Sequence, residues 1–164
     1  MKDVIKEIET KLNVKAADME IVKMNGWMLP IDKMDSSVLS GLKKCRHLAL
    51  STNNIDKISS LQGLSSLEIL SLGRNQIKRL ENLDSVADTL RQLWISYNLI
   101  EKLNGIEKCK KLKVLYISNN KIEKWQEIER LRELPELEDL LLTGNPIEKA
   151  TNDSGLKWRV EVVK

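Results

Sequence analysis

Cys45 and His47 are the first residues in the chain whose chemistry could go beyond packing, because a thiol two positions from an imidazole is the raw material of a cysteine nucleophile. Such a pair works only when both side chains converge in a pocket and a third group orients the imidazole. His47 is the single histidine, and Cys109 is the only other cysteine. One imidazole and two distant thiols fall short of the three or four ligands that a zinc ion takes. Both cysteines occupy periodic positions that leucine fills elsewhere, so they read as core residues, and His47 is placed at the edge of a sheet. No G-x-x-x-x-G-K-[ST] or G-x-G-x-x-G phosphate cradle occurs. The expectation is no catalytic residue, no metal ligand, no cofactor and no enzyme.

Asparagine carries the other chemistry. Asn53, Asn75, Asn98, Asn120 and Asn145 follow one another at intervals of 22, 23, 22 and 25 residues, each inside the pattern L-x-x-L-x-L-x-x-N-x-I. A buried asparagine offers two donors and an acceptor with two lone pairs, so it can satisfy its own turn and a neighbouring one. Five of them predict a structural ladder. A period in the low twenties with this consensus predicts an α/β leucine-rich repeat solenoid. Its parallel sheet lines the concave face, and short helices or 3₁₀ turns line the convex face.

The elements that hold the ladder follow in chain order. The whole chain, 1–164, reads as a single domain that grows by adding coils. Val4, Ile5, Ile8 and Leu12 share one helical face in residues 2–13, which predicts a helix capping the open end within an N-terminal cap of 1–20. A degenerate first repeat spans 21–44, with Val22, Met24, Ile31 and Met34 inward and a turn stretched by Gly26-Trp27-Met28-Leu29-Pro30. Trp27 and Met28 there either pack on the first helix or stand out as a hook. Five regular repeats fill 45–148, and the fourth carries the longest convex segment. A partial C-terminal cap spans 149–164: Ala150–Gly155 reads as a polar loop, Trp158, Val160, Val162 and Val163 begin a last apolar segment, and the cap looks short.

Strand residues beside the inward leucines must face the concave surface, because side chains alternate along a strand. Across successive repeats this brings Ile69, Trp94, Val114, Tyr116 and Leu141 into one apolar patch, since neighbouring strands lie about 4.8 Å apart. The turn residues Arg74, Tyr97 and Asn119 form its polar rim. Contiguous exposed apolar surface with Trp and Tyr in it marks a protein-binding site. These eight residues are the expected partner contacts.

Composition narrows the partner. Net charge is +3, from 27 basic and 24 acidic residues spread in alternation along the chain, so no concentrated basic face points to nucleic acid. No segment approaches the roughly 20 apolar residues of a membrane span, and the first residues carry no secretory pattern. Two cysteines without such a pattern fit a reducing compartment. Phe is absent, and Leu and Ile fill the uniform inward slots.

The strand segments Leu48-Ala49-Leu50-Ser51-Thr52-Asn53, Leu70-Ser71-Leu72-Gly73-Arg74-Asn75 and Leu93-Trp94-Ile95-Ser96-Tyr97-Asn98 resemble the axonemal outer-arm dynein light chain 1 family. So do Val114–Asn120 and Leu137–Leu142, and the likeness runs from about Val22 to Lys164. It includes Trp94, Tyr97 and Trp125, which a generic repeat does not require. The resemblance implies a monomeric, non-catalytic subunit of ciliary or flagellar motors, located in cytoplasm, cytoskeleton and axoneme. It implies binding to the microtubule-binding domain on a dynein heavy chain stalk, with tubulin a further candidate partner, and tuning of motor–microtubule contact. It also implies a longer capping turn and charged tail than this chain carries. A phosphatase-regulatory or other scaffolding repeat protein, gripping a globular partner on its concave face, is the alternative.

Overall fold

A computed structural model of the chain describes residues 1–158 and Val162. Six three-residue strands form one parallel sheet in chain order: β1 (Ile21–Lys23), β2 (His47–Ala49), β3 (Ile69–Ser71), β4 (Gln92–Trp94), β5 (Val114–Tyr116) and β6 (Asp139–Leu141). The register is uniform, so Ser71 lies opposite Trp94, Trp94 opposite Tyr116, and Tyr116 opposite Leu141. The middle residues Val22, Leu48, Leu70, Leu93 and Leu115 are fully buried. Alternation then turns both flanking residues of each strand away from the core.

Strands this short need lateral support, and the asparagines supply it. Asn98 Nδ2 donates to Ile95 O in its own coil and to Leu72 O in the preceding one, each at 3.0 Å, while Oδ1 accepts the Ile77 N–H at 3.0 Å. Asn53, Asn75, Asn120 and Asn145 make the same three bonds in their own coils. The residue before each asparagine is left-handed: Thr52, Arg74, Tyr97 and Asn119 have φ of 59°, 55°, 59° and 52°, and Gly144 has 81°. A non-glycine residue there costs about 1–2 kcal/mol, which the satisfied backbone groups offset.

The convex side is built from short helical pieces. They are 3₁₀ turns at Leu83–Val86 and Ile106–Lys108, and the longest is α3 (Trp125–Glu129) continued by a 3₁₀ turn at Arg130–Glu133. A second set of lateral bonds runs here, with Asn82 Nδ2 donating to Ile58 O at 2.7 Å and the buried Glu127 accepting the Leu103 N–H at 2.8 Å. In the first coil, Asp35 caps α2 (Ser36–Leu39) by accepting the Ser37 N–H at 2.9 Å.

At the N-terminal end, α1 (Lys2–Leu12) buries Val4 and Ile5 and half-buries Ile8, while Leu12 overhangs the core and is exposed. The turn after β1 does both things expected of it as alternatives. Trp27 packs against the core, whereas Met28 stands out into solvent.

The C-terminal end differs from expectation in one element. Ala150–Asp153 is not loop: it completes α4 (Pro146–Asp153). Pro146 at the first helical position has no N–H to leave unpaired, and Ile147 and Thr151, one turn apart, are both buried. Thr151 Oγ1 donates back to Ile147 O at 2.7 Å, so a polar residue joins the inward stripe. Trp158 is buried against Trp125, with ring centroids 5.7 Å apart. Val162 packs against the core, and the expected apolar residues Val160 and Val163 lie outside the described residues.

Asn98→Ala should strand the N–H of Ile77, while the carbonyls of Leu72 and Ile95 each lose one of two donors and keep Asn75 and Asn120. At about 1–3 kcal/mol for an unsatisfied buried group, urea unfolding should show a loss of about 1–3 kcal/mol. Asn54→Ala, at an exposed position one residue past the ladder, should stay within about 0.5 kcal/mol of the parent.

Candidate protein-interaction surface

Two columns of outward side chains cross the sheet. One holds Ile21, His47, Ile69, Gln92, Val114 and Asp139; the other holds Lys23, Ala49, Ser71, Trp94, Tyr116 and Leu141. Trp94 and Tyr116 stack with centroids 6.2 Å apart and planes 21° from parallel. Leu141 continues the line and is 42% exposed. Ile69 and Val114 flank the stack and are half-buried. The sheet therefore brings all five expected apolar residues onto one surface, with its rings lying flat against each other rather than standing free.

The structure adds two residues that sequence reasoning left out. His47 is not at the sheet edge, because the degenerate coil contributes β1 outside it. Its ring meets Trp94 edge-on at 5.7 Å and 73°, and its Nε2 lies 3.1 Å from Ser71 Oγ. Asp139 closes the other end, accepting the Tyr116 hydroxyl at 2.6 Å. The signal for both was available: each shares a column with Ile69 and Val114. The strip is thus a line of contacts, His47 to Trp94 to Tyr116 to Asp139, across β2, β4, β5 and β6.

Electrostatics follow from this packing. Burial, then the charge of Lys23, holds the His47 imidazole below its ordinary value. The hydrogen bond to Asp139, then burial and the Asp139 charge, pushes the Tyr116 phenol up. Trp94 Nε1 is shielded from solvent and has no hydrogen-bond partner among the described residues. Burial pushes the Cys45 and Cys109 thiols up to about 11, so both are protonated core residues at neutral pH. Cys45 faces inward and His47 lies on the sheet face, so the pair does not converge. Among the described residues no group of three or more His, Cys, Asp or Glu is placed to hold a metal, and no helix is long and apolar enough to cross a membrane.

The rim residues divide. The Arg74 guanidinium lies over the Tyr97 ring at 4.4 Å, and Tyr97 is 48% exposed. Both stand on left-handed backbone, with φ of 55° and 59°. Asn119 is exposed next in the row, its Oδ1 packed against the space where a side chain on Gly144 would project.

Comparison with known proteins places these features in a family. Residues 30–77 match the leucine rich repeat family, and residues 88–130 match its two-copy form. The chain is 57% identical to dynein axonemal light chain 1 of Chlamydomonas reinhardtii, over all of this chain and 83% of that one. It is 52% identical to the protein of the same name from Danio rerio and 51% to that from Homo sapiens, covering all of this chain and 84% and 85% of theirs. Among solved structures, the leucine-rich repeat domain of APL1B superposes with a TM-score of 0.66 at 18% identity, over 88% of this chain and 41% of that one. An internalin from Listeria monocytogenes superposes with a TM-score of 0.64 at 23% identity, over 77% of this chain and 37% of that one. The two superpositions, in which this chain spans only about two fifths of the other, speak to the fold alone.

Two outcomes test the geometry of the strip. Trp94→Phe loses ring area but also removes an unsatisfied donor worth about 1–3 kcal/mol, so urea unfolding should find it within about 1 kcal/mol of the parent. His47 resists protonation in the fold, so the unfolded chain binds its proton first. Stability should therefore fall as pH drops through the unfolded histidine value of about 6.5. Between about pH 7 and 5.5 no other histidine titrates, so thermal unfolding of His47→Gln should lack this decline.

Proposed function

The chain belongs to the dynein axonemal light chain 1 family, and on that footing we propose that it binds the microtubule-binding region on the stalk of a dynein heavy chain through its concave face. In this reading it is a non-catalytic light chain of the ciliary or flagellar outer arm. It offers a rigid curved surface at the axoneme and tunes the contact between motor and microtubule, tubulin itself being within the scope of that contact.

The observation that carries the proposal is the Trp94–Tyr116 stack, continued by Leu141 and flanked by Ile69 and Val114. Rings of this size bury roughly 150–250 Å² each, enough for the centre of an interface. The Arg74–Tyr97 pair and Asn119 supply the polar margin. The strip is also stiff, since the sheet register and the ladder fix each strand, so little order is lost on docking. A small turn of the Trp94 ring would offer its unspent N–H to an acceptor on the partner.

Trp94→Ala combined with Tyr116→Ala should abolish capture of the heavy chain from axonemal extract while circular dichroism reports an intact fold. Hot-spot aromatics contribute about 2 kcal/mol or more each, so the double variant should lose about a thousandfold in affinity. Undiminished capture by the folded double variant would remove the sheet face as the docking surface.

A further inference from the structure

The turn after β1 differs from its counterparts by an insertion. Gly26, with φ of 63°, takes the left-handed position held elsewhere by Thr52 or Arg74, and Trp27 stands where the ladder asparagine belongs. Ile31 resumes the pattern, its N–H donating to Asn53 Oδ1 at 2.8 Å as Ile55 donates to Asn75. One residue separates Asn53 from Ile55, but Met28, Leu29 and Pro30 separate Trp27 from Ile31. The two additional positions carry apolar side chains into water. Met28 is 95% exposed and Leu29 83%, beyond any other large hydrophobic residue described.

These side chains form one lip of a cleft of about 310 Å³ against α1, floored by Val4 and Trp27. Trp27 is itself held in place, with the Lys11 ammonium 5.7 Å from its ring centroid. The rim is acidic. Asp3 and Asp32 line the cleft and form no ion pair among the described residues, whereas Glu7 is taken up by Lys11 at 2.6 Å. Met1 also lines the cleft, while no Lys or Arg side chain among the described residues does. An exposed pair of flexible apolar residues costs solubility and adds nothing to the core. With carboxylates on either side, it suits an apolar face bordered by positive charge.

We propose that the Met28–Leu29 turn and α1 form a second docking site, taking an amphipathic helix of a partner protein whose leucine-type face is flanked by lysine or arginine. Methionine suits such a seat because its unbranched, polarizable side chain adapts to irregular apolar shapes. Asp3 and Asp32 select the basic flank and reject an acidic one. This site lies at the β1 end of the solenoid and stands apart from the Trp94–Tyr116 strip, so it does not depend on the heavy-chain reading.

The test uses the full chain and two labelled synthetic helices, each with one leucine face, bordered by lysines in one and by glutamates in the other. Fluorescence anisotropy should show saturable binding of the lysine helix and at least about tenfold weaker binding of the glutamate helix, a difference of about 1.4 kcal/mol. Met28→Ser with Leu29→Ser, both at exposed positions that leave the fold intact by circular dichroism, should weaken the lysine helix at least about tenfold. Asp3→Asn with Asp32→Asn should weaken it and flatten its salt dependence, and Trp94→Ala with Tyr116→Ala should leave it unchanged. Failure of the lysine helix to bind, equal binding of the two helices, or full binding by the Met28/Leu29 variant overturns the proposal. So does sedimentation showing that the parent chain self-associates through these two residues, which would make a second copy the occupant.

Discussion

The buried asparagine between adjacent coils is the interaction on which the rest of this structure depends. A coil of about 22 residues with a three-residue strand has too little internal contact to stand alone, and its turn leaves backbone groups inside the core. Each asparagine answers two carbonyls and one N–H, and two of those three groups belong to the preceding coil. Neither coil can shift by a residue without leaving buried polar groups unpaired. The register of the whole sheet follows from that single demand, and so does the regular spacing of everything displayed on it.

Display is the fold's contribution to function. Once the register is set, strand residues beside the buried leucines stack from coil to coil, and only their identities vary. In this chain they form a graded line, with an imidazole near one end, two stacked aromatic rings in the middle and a carboxylate at the other. The left-handed turn residues add a second row along its margin. Arginine and tyrosine occupy two of those positions despite the backbone cost, where glycine or asparagine would sit more easily. Their side chains meet each other, which gives part of that cost back.

Ends are handled by different means because the ladder has nothing to bind beyond them. At β1 the asparagine position passes to Trp27, whose ring fills space between the first coil and α1. At β6 the Gly144 N–H, which in earlier coils reaches the next strand, is taken by Glu148 Oε2 at 2.6 Å. Glu148 lies on α4, so a helix stands in for the missing coil. Trp158 against Trp125 closes the convex corner. Apolar side chains, a side-chain carboxylate and a helix thus stand in for lateral hydrogen bonds at the two termini.

Periodic demands were legible in the sequence, since each coil asks for the same chemistry at the same offset. The five ladder asparagines, the inward leucines and isoleucines, the parallel sheet and the columns containing Trp94, Tyr116 and Leu141 could all be read from spacing. Where a residue answers to neighbours far away in the chain, spacing was silent. The column that holds His47 and Asp139 was legible, but their contacts were not: the His47 ring meets Trp94 two strands away, and the Tyr116 hydroxyl reaches Asp139 on the next strand. Ala150–Asp153 became helix because Thr151 could satisfy its hydroxyl inside its own turn, which its polarity concealed. Trp27 and Met28 read equally as packing on the first helix or as a hook, and the structure divides them, Trp27 against the core and Met28 in solvent. The repeating unit and its register are written in the residue spacing, because a buried amide must be satisfied wherever it recurs. Which side chains touch across coils and which are left to solvent emerges only in three dimensions, because those outcomes depend on distances between residues that no periodicity records.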